Sequence, residues 1–293
     1  MKKLFQGVAT AMVTPFTENG IDFDELKRLI DRQIDAGIDA LVINGTTGEP
    51  ATMTEAEKKK VLLTAISHAN GRIKIIAGTG ANDTNKAIAA SVFAESAGAD
   101  GVLCVTPYYN KCTKNGIVKY YEAICSAISI PVIAYNVPSR TGVNITPDVA
   151  EKLAGIPNLY GIKEASGNFS QIIQTAFALE GKAALYSGDD ELILPFLGIG
   201  SSGTISVLSN VLPKETKKLH DLYFEGNFSG AYALYRKLYP LARALFFEVN
   251  PIPCKAALCA MGFSTKILRE PLTEMEEENK ERLFAAMKEF GIL

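Results

Sequence analysis

Eight short apolar runs, separated by helix-forming segments, recur over the first two thirds of the chain. The first is Val8–Thr14, ended by Pro15, and Ala40–Gly45, Lys74–Thr79 and Gly101–Thr106 follow. The other four are Pro131–Asn136, Tyr160–Lys163, Ala183–Ser187 and Gly203–Leu208. Strands this apolar must be covered on both faces, which a parallel sheet flanked by helices achieves. Eight of them favour a closed (β/α)8 barrel, a TIM barrel, over an open doubly wound sheet. Helix starts are marked between the strands: Asp22 with Glu25 and Thr54 with Glu57 read as capping pairs, and Pro147 takes a first helical position after Thr146. After about residue 212 the strand signals stop and only helical patterns remain. The expected fold class is therefore α/β, a TIM barrel with a C-terminal helical extension. Residues 1–212 carry the barrel strands with most of their helices, and 213–293 carry the last barrel helix and a helical appendage packed on the barrel.

Composition narrows the function. Of 293 residues 47% are hydrophobic, enough for a large core, and the net charge of −2 comes without a long basic run. Nucleic-acid binding is therefore not expected. No stretch approaches the ~18 uninterrupted apolar residues of a membrane span. Met1-Lys2-Lys3 precedes an apolar run too short for a signal peptide. Five scattered cysteines form no C-x-x-C pair, which reads as reduced thiols in a cytoplasmic protein. With only His68 and His220 besides, no His/Cys metal site is expected. Gly198–Gly203 spells G-x-G-x-x-G, but it follows a helical pattern and precedes a strand, the reverse of a dinucleotide fingerprint.

In such barrels the chemistry sits at the C-terminal ends of the strands. The sixth strand ends in Lys163, a lysine inside an apolar run. A buried ammonium is costly, so burial drives a lysine towards the free amine, a nucleophile that forms Schiff bases with carbonyl compounds. Taken alone, Lys163 is more simply read as a structural lysine reaching out at a strand end. Its companions at the other strand ends reverse that preference. Tyr135 offers a phenol to move protons. Gly45-Thr46-Thr47-Gly48 offers backbone N–H groups and two hydroxyls suited to a carboxylate, and Arg140 offers a planar fork for a second one. Each has a bland alternative: a turn, a core tyrosine, a surface charge, and for Tyr108-Tyr109 an interface contact. Their joint placement on one rim is what argues for a site.

These segments carry a resemblance. Gly45–Glu49, Tyr135–Gly142 and Gly161–Gly167, in this order and spacing, closely resemble the dihydrodipicolinate synthase family of pyruvate-dependent class I aldolases, over essentially the whole chain. The resemblance implies that Lys163 forms a Schiff base with pyruvate, whose enamine attacks aspartate 4-semialdehyde. It implies a proton relay of Tyr135, Thr46 and Tyr109, the last supplied by a neighbouring subunit. It gives Thr46 and Thr47 the pyruvate carboxylate, Arg140 the semialdehyde carboxylate, and Gly188 and Ile205 the lining of the pyruvate pocket. It further implies no metal or organic cofactor, a homotetramer built as a dimer of dimers, and a place in lysine and diaminopimelate biosynthesis. Lysine-sensitive members bind free lysine at a dimer interface through an acidic residue and nearby histidines. Here the matching positions hold Lys86, Glu55 and Lys58, although Asn82 and Tyr108 match, so feedback by lysine is expected to be weak or absent. Two alternatives stay open. One is a sister aldolase acting on N-acetylneuraminate or a 2-keto-3-deoxy sugar acid, against which Arg140 and the Lys163–Gly167 run argue. The other is a barrel that binds pyruvate without catalysis.

Overall fold

All eight expected strands form: β1 (Gly7–Ala11), β2 (Ala40–Ile43), β3 (Lys74–Gly78), β4 (Gly101–Val105), β5 (Val132–Asn136), β6 (Leu159–Glu164), β7 (Ala184–Ser187) and β8 (Gly203–Ser206). The computed structural model describes residues 2–293. The strands make a closed barrel in which each neighbours its sequence neighbours and the last returns to the first. Val132 to Asn136 of β5 lie beside Leu159 to Glu164 of β6, with one irregularity between Val132 and Ile133. Gly161 to Glu164 in turn lie beside Ala184 to Ser187 of β7. Nearly every residue of these strands is buried, as two covered faces require.

The first strand is shorter than its apolar run. Regular structure stops at Ala11. The amide of Val13 turns instead to Asn210 Oδ1 at 3.2 Å, and the Thr14 hydroxyl donates to the Gly48 carbonyl at 2.8 Å. Side-chain acceptors thus take over from the ladder, an outcome apolar patterning does not register. A two-stranded hairpin of Phe16–Thr17 and Gly20–Ile21 follows.

Helix ends follow their sequence signals. Thr54 and Glu57 make a full reciprocal capping box, and the helix Glu55–Ala69 ends on Asn70 at φ 44°. Asp22 accepts from the Glu25 amide, but Glu25 does not reach back. Its carboxylate faces Arg28 and the Ser264 amide instead, so half of that expected box forms. Pro147 opens the helix Pro147–Ala154 behind Thr146. Gly198 ends a helix and Gly203 begins β8, the context that removes G-x-G-x-x-G as a nucleotide fingerprint.

Two compact units divide the chain. One holds Lys74–Ile205 with the residues before Gly7. It contains β3 to β7, and in it the helix Thr84–Ala97 packs on Lys114–Ala127, and Pro147–Ala154 on Phe169–Leu179. The other holds Gly7–Ile73 and Ser206–Leu293. In it β1 lies beside β2, and the helix Pro213–Phe224 packs on β1 and on the helix Phe228–Ala244, which also meets Glu277–Phe290. The described residues include no helix long and apolar enough to cross a membrane.

Candidate active site

Lys163 is the penultimate residue of β6 and is held between two strands. It lies beside Tyr135 on one side and Tyr186 on the other. Its side chain is 5% exposed, and Nζ stands 4.4 Å from the centre of the Tyr135 ring. Gly188 makes room for it. A Cβ there would fall 2.8 Å from Ala165 Cβ and 2.9 Å from Lys163 Cε, so only glycine leaves the lysine its path. Burial pushes the ammonium down to a pKa of about 8, Asp190 pulls the other way, and the Arg140 guanidinium adds to the depression. At pH 7 that leaves roughly a tenth of the lysine as free amine, against about 0.04% for an ordinary lysine. The sequence pointed to burial. It did not single out Asp190, which lies just past β7 and acts through space.

The residue after Lys163 does a different job. Glu164 is fully buried, and burial raises the pKa of its carboxyl. It accepts from Asn136 Nδ2 at 2.9 Å and from the Ser166 amide at 2.7 Å. Asn136 in turn accepts from the Ile145 amide at 2.8 Å and donates to Asn144 Oδ1 at 2.9 Å. This network fastens the ends of β5 and β6 to the segment that carries Arg140. Arg140 itself sits exposed in the short helix Pro138–Thr141, which ends on Gly142 at φ 67°. Asn136 and Glu164 lie inside the recognised motifs, yet sequence reading gave them no role. A polar residue closing each of two apolar strands was the available signal.

The remaining candidates are spread more widely. Ile205 is fully buried on β8. Asp189, beyond Gly188, is raised to a pKa of about 6 by burial, with Asp190 and Glu191 adding to the rise against a backbone hydrogen bond from Glu191. Tyr109 is 91% exposed with φ 69°, while Tyr108 is 40% exposed. Their loop is pinned by Asn110 Nδ2, which donates to the Asn82 carbonyl at 2.9 Å. Thr46 and Thr47 belong to the second unit, in a 3-10 turn Thr46–Gly48 that follows β2. Thr46 is half-buried, and Thr47 is buried with its Oγ1 accepting from Asn250 Nδ2 at 2.9 Å. Lys163, Tyr135, Arg140 and Gly188 therefore form one neighbourhood in the first unit. No cluster of His, Cys, Asp and Glu suited to a metal ion occurs among the described residues.

The chain has relatives closely similar in sequence and in fold. Residues 4–290 match the family described as the dihydrodipicolinate synthetase family. The 4-hydroxy-tetrahydrodipicolinate synthase of Clostridium perfringens is 45% identical over 290 residues, covering 99% of this chain and 100% of that one. The chloride-inhibited dihydrodipicolinate synthase of Acinetobacter baumannii, solved in complex with pyruvate, is 42% identical with a TM-score of 0.96, covering 99% and 100% of the two chains. The enzyme of Cyanidioschyzon merolae, solved with lysine bound, is 38% identical with a TM-score of 0.96 over the whole of both chains. The chain belongs to the dihydrodipicolinate synthetase family.

Proposed function

We propose that this chain is a 4-hydroxy-tetrahydrodipicolinate synthase, condensing pyruvate with L-aspartate 4-semialdehyde in lysine and diaminopimelate biosynthesis. The amine of Lys163, buried and held near pKa 8 against Tyr135, carries this assignment. It attacks C2 of pyruvate, and loss of water leaves a protonated imine. That imine is an electron sink, so a proton leaves the methyl carbon and an enamine forms. The enamine carbon bonds to the aldehyde carbon of the semialdehyde, whose oxygen takes up a proton. The amine of the semialdehyde portion then adds to C2, closes the ring and expels the Lys163 amine unchanged. No organic cofactor or metal enters this scheme, because the lysine itself supplies the electron sink.

Tyr135, Thr46 and Tyr109 move the protons in these steps. Tyr109 serves the site of a neighbouring subunit, in keeping with its full exposure on a single chain. Thr46 and Thr47 hold the pyruvate carboxylate, Arg140 holds the semialdehyde carboxylate, and Gly188 and Ile205 shape the pyruvate pocket. The working assembly is a homotetramer in the cytoplasm.

The test is a coupled assay. Pyruvate and aspartate 4-semialdehyde are supplied with dihydrodipicolinate reductase, and NADPH consumption is followed. Borohydride reduction with pyruvate alone should add the reduced pyruvyl group to Lys163. Turnover with trapping at Lys163 is the expected result. Trapping without turnover would redirect the reading to a sister aldolase, and neither would leave a barrel without this chemistry.

A further inference from the structure

The chain buries a second lysine that the reaction does not use. Lys255 lies in the helix Ile252–Ala260 and is 1% exposed. Its ammonium has three N–H donors and meets three acceptors: Glu49 Oε1 at 2.7 Å, the Thr14 carbonyl at 3.0 Å and the Ile267 carbonyl at 2.6 Å. Nζ also stands 4.4 Å from the centre of the Phe16 ring. The second oxygen of Glu49 accepts from the Arg269 amide at 3.1 Å.

Glu49 follows directly on Thr46-Thr47-Gly48 and adopts φ 57°, ψ 40°, a left-handed conformation that a glutamate takes only when its surroundings enforce it. The preceding residue is held as well. Thr14, whose carbonyl takes one Lys255 bond, donates its hydroxyl to the Gly48 carbonyl at 2.8 Å. A Cβ on Gly48 would lie 3.1 Å from that hydroxyl and 3.3 Å from the Met12 carbonyl. Thr47 is held by Asn250. Three consecutive residues of the turn are therefore tied from behind by groups remote in sequence. Because the Thr47 hydroxyl already accepts from Asn250, its own proton is left to donate to a further acceptor.

We propose that Lys255, Glu49 and Thr14 form a clamp that positions the Thr46-Thr47 turn for the carboxylate of the keto-acid substrate. This rests on the reaction assigned above. A buried ion pair seldom stabilises a fold more than apolar residues of the same volume would. A carboxylate site, by contrast, needs its donors fixed to about 0.5 Å, which a saturated ammonium imposes on the glutamate it holds. Lys255 and Glu49 are positioning residues; neither is assigned a contact with substrate.

The experiment compares wild type with the double variant Lys255→Met/Glu49→Gln, which removes both charges together, and with Thr14→Val, which deletes only the hydroxyl behind Gly48. KM for pyruvate, kcat, borohydride trapping against pyruvate concentration, and thermal unfolding are measured for each. The expected result is a rise of about tenfold in pyruvate KM for the double variant and severalfold for Thr14→Val, with kcat falling by a smaller factor in each because Thr46 sits on the same turn. Trapping at Lys163 should still reach completion at saturating pyruvate. An unchanged pyruvate KM in a folded variant overturns the clamp. If the double variant does not fold, Thr14→Val decides alone, and an unchanged KM there reduces the pair to a prop of the fold. A wild type that neither turns over nor traps pyruvate defeats the assigned reaction, and the clamp with it.

Discussion

Lys163 on β6 and Lys255 in the helix Ile252–Ala260 are both nearly shut off from water, and burial pushes both pKa values down. Their surroundings differ in what they offer an ammonium. Lys255 is met by a carboxylate and two carbonyls at hydrogen-bond distance. Lys163 faces the flat of an aromatic ring, and the attraction of Asp190 is opposed by Arg140. Burial alone therefore does not make a nucleophile. A buried lysine becomes reactive when its charged form is left short of compensation, and becomes a structural anchor when that form is saturated.

The contrast breaks first at turnover. Lys163→Ala should lower activity at least ~1000-fold, on the scale of losing a covalent nucleophile, and should abolish pyruvate trapping while the fold persists. Full activity in that variant would end the Schiff-base assignment. Next in size is Tyr135→Phe, which keeps the ring beside the amine and removes the phenol. A fall of about 100-fold or more in kcat is expected from losing a positioned proton carrier, and a near-normal kcat would reduce Tyr135 to packing.

Stability should separate the two lysines by sign. An unfolded lysine titrates near 10.5 and the folded Lys163 near 8. Between these values the unfolded chain holds the proton that the folded chain has lost, so stability rises with pH across that window. Below about pH 8 the full penalty remains, of order 3 kcal/mol. Lys163→Met should therefore raise thermal stability at pH 7. Lys255→Met should lower it by about 3–5 kcal/mol, because Glu49 is left buried without its partner. Shifts of the same sign in both variants would dissolve the contrast.

A smaller effect lies in pH. With pyruvate alone, imine trapping should rise as pH climbs through about 8 and level off above it, as the free amine accumulates. Arg140→Leu removes a charge that depresses Lys163, so its profile should move to higher pH. A shift in the opposite direction would mean that Arg140 does not act on the amine. The smallest effect expected is that of free lysine. Lys86 is exposed and carries the same charge as the effector, and Lys58 is already paired with Glu55 at 2.8 Å. Millimolar lysine should change the rate less than twofold, and strong inhibition would refute this reading.

The barrel was legible because its signals are local. Apolar runs of strand length, capping residues and the glycine or asparagine at helix ends each act within a few positions. The end of β1 was not, because Thr14 leaves the ladder to serve Gly48, a partner 34 residues away. Within the site, Lys163 was found as a lysine in an apolar run, and the same signal was available for Lys255 in Ile252-Pro253-Cys254-Lys255-Ala256-Ala257. It passed unnoticed because no motif surrounds it and its partner Glu49 lies 206 residues away. Asp190 was likewise missed, since its action on Lys163 is electrostatic and long in sequence.

Lys163 has strand neighbours on both sides, Tyr135 on β5 and Tyr186 on β7, and its backbone cannot shift without breaking two ladders. The proposed nucleophile is thus mounted on a stretch of main chain paired on both sides. In a hydrogen-exchange experiment the amides of β6 should be among the last to take up deuterium, opening only with the whole fold. The Lys163 amine then reaches a partner by turning its own side-chain torsions, while the strand under it stays in place.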